Sequence, residues 1–166
     1  MASVKKGRVI EENAVKASEI YRHAFGKKEG RKVSLHFLEA AYLAAEGRIE
    51  AVSGREKIGE KELLALAEEK DALAGKKYAV LKDLRESGRA VRLSEKDGLL
   101  RVYERGKRFG EAPSLYLVRV IGGRKKISEK DVAAEAEKAH ALRKKLVWAF
   151  VGKGKPAYYS VEKTRL

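Results

Sequence analysis

The chain has 166 residues, of which 44% are hydrophobic and 37% are charged. It contains no cysteine, which excludes disulfides, thiolate catalysis and thiolate metal sites. Its 38 lysines and arginines outnumber its 24 acidic residues, and the net charge is +14. A thermophilic surface would enrich both signs of charge, whereas this excess of one sign favours a polyanionic partner such as nucleic acid.

The few histidines and the distribution of apolar residues exclude further classes of protein. His23, His36 and His140 lie too far apart in sequence for an i, i+4 pair, so we expect no metal site. The charged N-terminus lacks the apolar region of a secretory signal. The longest apolar run, Leu146–Val151, is far shorter than the roughly 20 residues of a membrane span. We therefore expect a cytoplasmic protein without a membrane partner.

The N-terminal third alternates helical and strand patterns. Residues Glu12–Phe25 have a helical pattern, and Ser34 is predicted to cap a second helix that ends before Gly47. A short strand is predicted at Arg48–Val52, followed by a helix at Gly59–Ala74. These elements predict a small α/β domain over residues 1–74.

The pattern changes at Gly75, which we take as the start of a second domain over residues 75–166. One helix is predicted from Tyr78 to Gly88, and another over Ser128–Lys144, with Ser128 and Asp131 forming a capping box. The fold class is therefore α+β, with a mixed, mostly antiparallel sheet flanked by helices. The predicted strands of this sheet are Ala90–Leu93, Leu99–Tyr103, Leu115–Ile121, Leu146–Val151 and Ala157–Val161.

Several segments, in order along the chain, resemble the archaeal tRNA-intron endonucleases. The C-terminal segments are RVYERG at residues 101–106, AHALRKKLVWA at 139–149 and YYSV at 158–161. The N-terminal segment is LHFLEAAYLAAEGRIEAV at residues 35–52. The resemblance covers nearly the whole chain and implies a nuclease-like C-terminal domain.

The resemblance also implies a reaction. The family cuts pre-tRNA introns at a bulge-helix-bulge RNA element, needs no metal or cofactor, and leaves a 2′,3′-cyclic phosphate and a 5′-hydroxyl. In this chemistry a tyrosine is the general base, a histidine is the general acid, and a lysine stabilises the charged phosphate.

The family tyrosine falls on Tyr103, and the family lysine falls on Lys144, with Lys145 as the alternative register. The residues by themselves permit a simpler interpretation. A tyrosine at a strand end commonly packs its ring and keeps its hydroxyl wet, and a lysine at a helix end favours the helix dipole. The two catalytic assignments therefore depend on the resemblance.

The histidine is missing from its expected position. It should fall about ten residues after Tyr103, on Ala112 or Pro113, and neither side chain can donate a proton. Glu111 is a poor substitute because a carboxylate is ionised at neutral pH and repels a phosphate. The resemblance places His140 in a helical motif, so we assign it no catalytic role. The triad is therefore degenerate.

A second departure from the family concerns RNA binding. Glu137 occupies the position of a family arginine that stacks on a bulged base, while Lys163 matches a second family cation. The loop Gly152–Pro156 is basic where the family has an acidic loop that inserts into a neighbouring subunit. The cations predicted to bind RNA phosphates are Arg105, Lys107, Arg108, Arg124, Lys125, Lys126, Arg143, Lys145 and Lys163.

These observations together predict the structural subunit of a tRNA-splicing endonuclease. The chain would assemble two-plus-two with a catalytic partner that supplies the complete triad, and the complex would act on pre-tRNA. Two alternatives remain open. One is a catalytic subunit with a displaced general acid, and the other is a basic RNA-binding scaffold module.

Overall fold

The computed structural model describes residues 1–107, 110–122 and 126–166. They form two compact units, Met1–Tyr78 and Ala79–Leu166. The α+β class predicted from the sequence is confirmed, with a mixed sheet in each unit. Composition places the domain boundary at Gly75, whereas the division between the units falls after Tyr78, inside a helix.

The first unit contains a six-stranded sheet in the order β3-β4-β2-β1-β5-β6. Strands β1 and β5 are parallel, and the other neighbours are antiparallel. Sequence patterns predicted only one of these strands, near β5. The elements are β1 (Ala2–Lys5), β2 (Arg8–Glu11), α1 (Ala14–Arg22), β3 (Lys27–Glu29), β4 (Lys32–Leu35), α2 (Phe37–Ala45), β5 (Ala51–Ser53), β6 (Glu56–Ile58), α3 (Glu60–Lys70) and the start of α4 (Ala74–Glu86).

The prediction that Ser34 caps α2 is wrong. Ser34 lies in β4, and its buried hydroxyl accepts a hydrogen bond from Arg8 Nε at 2.6 Å. The cap is His36, whose Nδ1 accepts from the Leu38 amide at 3.1 Å while the Glu39 carboxylate accepts from the His36 amide at 3.0 Å. Pairing of β4 with β2 continues through Leu35, so the helix begins two residues later than predicted.

Three predicted helices are longer than the observed ones, and the one predicted over Ser128–Lys144 ends at Ala141. The helix predicted from Glu12 begins only after Asn13, whose side chain accepts from two first-turn amides, each at 3.1 Å. The helix predicted over Gly59–Ala74 ends at Lys70, and Asp71 separates it from α4. Local capping groups, which compete with helical periodicity, decide both boundaries.

The second unit contains a five-stranded sheet in the order β11-β10-β9-β8-β7. Strands β9 and β10 are parallel and are joined through α5, while the other neighbours are antiparallel. The five predicted strands are confirmed to within one or two residues. The elements after α4 are β7 (Val91–Leu93), β8 (Leu100–Val102), β9 (Tyr116–Ile121), α5 (Glu129–Ala141), β10 (Lys145–Phe150) and β11 (Ala157–Val161).

Helix α5 packs on one face of this sheet. The predicted capping box is confirmed, because the Ser128 hydroxyl accepts from the Asp131 amide at 3.2 Å and the Asp131 carboxylate accepts from the Ser128 amide at 3.4 Å. Ala139 near its C-terminus packs in a buried cluster with Leu99, Leu117 and Leu146. Each buried leucine contributes roughly 1.5–3 kcal/mol, and this packing holds the turn from α5 into β10 against the sheet.

Candidate functional site

The ends of three neighbouring strands bring the predicted Tyr103 and Lys144 to one end of the second sheet. The register aligns Val102 of β8, Tyr116 of β9 and Lys145 of β10 in one row. The next row continues outward through Tyr103 and Lys144, with Leu115 between them. Two backbone bonds fix this row: the Leu115 amide donates to Val102 at 2.9 Å, and the Lys145 amide donates to Leu115 at 3.0 Å.

Lys144 is held by the segment that leads into β9. Its Nζ donates to the Ser114 hydroxyl and to the Ser114 carbonyl oxygen, each at 2.6 Å. Burial lowers the pKa of Lys144, and the positive charge of Arg101 lowers it further. The ammonium is thus anchored by two protein oxygens at the place where the family resemblance expects a phosphate contact.

Tyr103 is largely covered, with 8% of its surface exposed. Its amide donates to the Ala90 carbonyl at 3.0 Å, and its carbonyl accepts from Arg89 at 3.4 Å. These bonds extend the β7–β8 pairing by one row, which fixes the backbone of the tyrosine. The buried position agrees with the simpler interpretation of Tyr103 as a packed aromatic at a strand end, because a general base must reach the substrate hydroxyl.

The expected histidine window contains one side chain that contacts Lys144. Glu111 and Pro113 are exposed and Ala112 is half-buried, whereas Ser114 is 7% exposed and bonded to the Lys144 ammonium. Sequence reasoning missed Ser114 as a site residue. A serine directly before a buried strand was the available signal, but its partner lies 30 residues further along the chain.

A cleft of about 590 Å³ lies between the C-terminal half of α5 and the chain that includes and follows β11. Glu137 and Lys163, which the resemblance aligns with two family cations, both line it. His140 and Lys144 line it as well, but Tyr103 does not. The cations at this cleft are Lys144, Lys145, Lys163 and Arg165, and the carboxylates are Glu137 and Glu162.

The excess of cations makes this cleft suited to an anion such as a phosphate. Glu137 lies where the resemblance expects an arginine that stacks on a base, and a carboxylate cannot form that cation–π contact. His140 is exposed near the end of α5, and its carbonyl accepts from the Arg143 amide at 3.0 Å. The cleft therefore contains an imidazole and an ammonium, without the tyrosine that would complete a cleavage triad.

The other cations predicted to bind RNA are distributed over several turns of the second unit. Arg105 and Lys107 are exposed in the turn after β8, Arg143 is exposed in the turn before β10, and Lys126 is exposed ahead of α5. Three of the predicted RNA-binding residues lie outside the described residues: Arg108, Arg124 and Lys125.

The described part of the chain contains no group of three or more side chains that could hold a metal ion. Among those same residues, no helix has both the length and the apolar character needed to cross a membrane. The fold and the site define a two-unit α+β protein with a strongly basic sheet end that suits a polyanion.

Comparison with known proteins identifies the family of this chain. Residues 75–159 match the family model of the tRNA intron endonuclease catalytic C-terminal domain, and residues 2–64 match that of its N-terminal domain. The chain is 38% identical over 157 residues to the tRNA-splicing endonuclease of Thermococcus gammatolerans, covering 93% of this chain and 91% of that protein.

Two further relatives agree with this match over most of their length. The chain is 35% identical over 156 residues to the tRNA-splicing endonuclease of Pyrococcus furiosus, covering 93% of this chain and 89% of the relative. It is 34% identical over 143 residues to that of Methanothermobacter thermautotrophicus, covering 82% and 83%. The chain belongs to the tRNA intron endonuclease family.

Proposed function

We propose that this chain is the structural subunit of a tRNA-splicing endonuclease and supports a catalytic partner that cuts pre-tRNA at bulge-helix-bulge RNA. The observation that carries the proposal is the loss of the general acid. Ala112 and Pro113 occupy the histidine position, and the adjacent Ser114 hydroxyl binds the Lys144 ammonium. Without a donor for the leaving 5′-oxygen, a chain of this family lacks a contribution of about 10²- to 10⁴-fold to cleavage.

The state of the other two triad residues supports the same role. Tyr103 as a whole residue is 8% exposed, which favours a packed aromatic over a general base that must reach a bound ribose. Two of the three N–H donors of the Lys144 ammonium are bound to protein acceptors at 2.6 Å, so one remains for a phosphate. The motif residues of this chain thus stabilise its own sheet end, and the partner supplies the cleavage chemistry.

The proposed assembly contains two copies of this chain and two of the catalytic partner. Strand β11 lies at the edge of its sheet, and Tyr158 and Tyr159 on it are exposed together with Phe150 on β10. Exposed aromatic groups beside an unpaired strand edge are typical of a surface that another chain covers. The nearby loop Gly152–Pro156 is basic, so the surface that it meets on the partner should be acidic.

Cleavage assays with this chain and its partner test the proposal. The purified chain should leave a bulge-helix-bulge RNA uncut, and it should restore cleavage when mixed with a family member that has the complete triad. Mass measurement of the mixture should give a two-plus-two complex. Efficient cleavage by this chain alone would refute the proposal. Duplex RNA binding without any restored cleavage would favour the scaffold alternative instead.

Substitutions in the assembled enzyme separate a structural from a catalytic role. Tyr103→Phe and Lys144→Ala in this chain should change the cleavage rate by less than about threefold, whereas loss of a catalytic group costs about 10²-fold or more. The matched control makes the corresponding tyrosine and lysine substitutions in the partner chain, where the large loss is expected. The mass of each variant complex must be unchanged, so that a failure of assembly is not mistaken for lost chemistry.

A catalytic role with a displaced acid is the second candidate, and one observation favours it. His140 and Lys144 line the same cleft, so an imidazole is available in the cleft that contains the lysine. His140→Gln in the assembled enzyme distinguishes the two candidates. If His140 were the general acid, the rate would fall by about 10²- to 10⁴-fold, whereas the structural role predicts a rate close to that of the unmodified enzyme.

A further inference from the structure

The positive charge of the chain is concentrated in the second unit. Residues 1–78 contain 16 lysines and arginines and 13 acidic residues, whereas residues 79–166 contain 22 and 11. The second unit therefore has a net charge of +11 out of the total of +14. An RNA surface on this chain should lie mainly on the second unit, because phosphate contacts provide most of the affinity for RNA.

Arg89 is held by two groups at the sheet end of this unit. Its guanidinium carbon lies 5.5 Å from the centre of the Tyr116 ring, within the range of a cation–π contact. One of its terminal nitrogens donates to the Tyr103 carbonyl at 3.4 Å. The backbone amide of Arg89 donates to Leu84 at 3.1 Å and anchors the residue to the end of α4.

This arrangement leaves most of the hydrogen-bonding capacity of the guanidinium for another ligand. Arginine has five N–H donors, and the contact to Tyr103 is a long one that uses a single donor. The side chain is half-buried, so part of its surface reaches solvent. A guanidinium already positioned on a ring loses less conformational freedom when it binds a phosphate than a freely rotating lysine does.

Two further cations lie beside residues that adjoin Arg89 or contact it. Lys145 is the register partner of Tyr116, so its side chain starts on the same face of the sheet as the ring that Arg89 covers. The Cγ atom of Arg105 lies beside Gly88, the residue before Arg89, at 3.6 Å from the position that a Cβ would occupy there. Within the described residues, neither these two cations nor Arg89 forms an ion pair.

A cluster of cations without carboxylate partners concentrates positive potential. We propose that Arg89, with Arg105 and Lys145 beside it, binds phosphates of duplex RNA. These three residues are called the Arg89 patch. Alternation along β9 and β10 starts the Lys145 side chain on the face opposite to Lys144, although both lysines also line the cleft beside α5. The contact reads RNA backbone without base sequence, as basic surfaces that face A-form duplexes do.

This inference rests on the proposed function, which supplies pre-tRNA as the ligand, and it adds a binding residue that the family motifs do not identify. A purely structural role for Arg89 is the competing explanation. In that case the guanidinium only covers the Tyr116 ring, and its removal changes stability without changing RNA affinity.

Salt-dependent binding of the full chain to a generic RNA duplex of about 16 base pairs tests the patch. Arg89→Met keeps the length of the side chain and removes its charge. We expect about threefold to tenfold weaker binding at low salt, and a slope of log affinity against log salt that is smaller by about 0.7–0.9, as for one lost phosphate contact. Fluorescence anisotropy with labelled RNA measures both quantities.

Two further variants make the result interpretable. Arg89→Lys keeps the charge and should retain most of the salt slope, although it loses the planar contact with Tyr116. Arg22→Met removes an exposed arginine from the first unit and should leave both affinity and slope unchanged. A thermal melt of each variant separates folding effects from binding effects.

An unchanged salt slope in Arg89→Met, or no measurable RNA binding by the unmodified chain, would overturn the proposed patch. Neither outcome decides the structural-subunit role, which the restoration of cleavage measures independently. Weaker binding to the catalytic partner, with RNA affinity intact, would mean that the patch contacts an acidic protein surface instead.

Discussion

Removal of the Ser114 hydroxyl tests the link that holds Lys144 at the sheet end. Ser114→Ala deletes one of the two oxygens that accept from the Lys144 ammonium at 2.6 Å and leaves the carbonyl in place. A hydrogen bond to a charged group contributes about 1.5–3 kcal/mol. Because Lys144 is half-buried and water can partly replace the hydroxyl, we expect a loss of about 1–2 kcal/mol in the free energy of unfolding.

The pH dependence of this loss has a defined sign. The pKa of Lys144 in the folded chain lies below its unfolded value, so unfolding takes up a proton in the range between the two values. Stability should therefore rise as the pH increases through the folded pKa towards about 10.4, the ordinary value for lysine. Loss of the hydroxyl acceptor lowers the folded pKa further, so the deficit of Ser114→Ala should shrink in this range.

Urea unfolding at constant protein concentration, at neutral pH and at several values up to about pH 10.4, measures both effects. Thermal melts should give a decrease in Tm of roughly 2–8 °C at neutral pH for a chain of this size. Ser87→Ala is the matched control, since its hydroxyl donates to the Leu84 carbonyl at 2.7 Å in a neutral hydrogen bond. That change should cost about 0.5–1.5 kcal/mol without pH dependence.

The reasoning about Lys144 would be refuted by a Ser114→Ala deficit that stays constant across the alkaline range. It would also be refuted by a neutral-pH deficit below about 0.5 kcal/mol, the lower end for a neutral hydrogen bond. Either result would mean that the ammonium is held by water and the Ser114 carbonyl alone. Lys144 would then be available to a bound phosphate, and the catalytic alternative would gain support.

Two further substitutions test the fold. Gly26→Ala should lower the free energy of unfolding by about 2–4 kcal/mol, because a Cβ there would lie 2.7 Å from the Ser34 carbonyl oxygen at a φ of +68°. Gly30→Ala has a similar φ of +62° but open space around the Cβ, so it should lower the free energy of unfolding by only about 1–2 kcal/mol. Equal losses for the two variants in urea unfolding would contradict the steric explanation for Gly26. Burial raises the pKa of Asp97, but hydrogen bonds led by the one from Lys138 outweigh it and hold the pKa well below its usual range. Its stabilising contribution is therefore complete above about pH 4 and is lost as the pH falls through the folded pKa. Asp97→Asn should cost about 1–2 kcal/mol at neutral pH, with a deficit that shrinks below about pH 4, and a deficit that persists unchanged in acid would contradict the ion-pair explanation.

The sequence predicted the second unit better than the first. Strands β9 and β10 are six residues long, and α5 has a local capping box, so periodicity and capping identify them within a short window. The first sheet is built entirely from strands of three or four residues, of which sequence patterns predicted one, although the equally short β7 and β8 of the second sheet were predicted. Three of its pairings, β1–β2, β3–β4 and β5–β6, are hairpins, and the pairings β2–β4 and β1–β5, which no local window contains, join these hairpins into one sheet.

The candidate site was likewise predicted in part from the sequence and in part only by the structure. The residue identities are visible in the sequence: a tyrosine and a lysine in recognisable segments, and no histidine where one is expected. The register of β8, β9 and β10 shows that Tyr103 and Lys144 share a row, and the packing shows that the tyrosine is covered and that the lysine contacts Ser114.

The sequence by itself determined the family, the α+β class and the lack of a histidine where the resemblance expects one, because each depends on residue types in order along the chain. Only the tertiary structure decided what surrounds those residues. The hydroxyl that anchors Lys144 lies 30 residues earlier in the chain, and the ring beneath Arg89 lies on another element. Contacts between segments far apart in sequence arise from the packing of the sheet, and local periodicity contains no information about them.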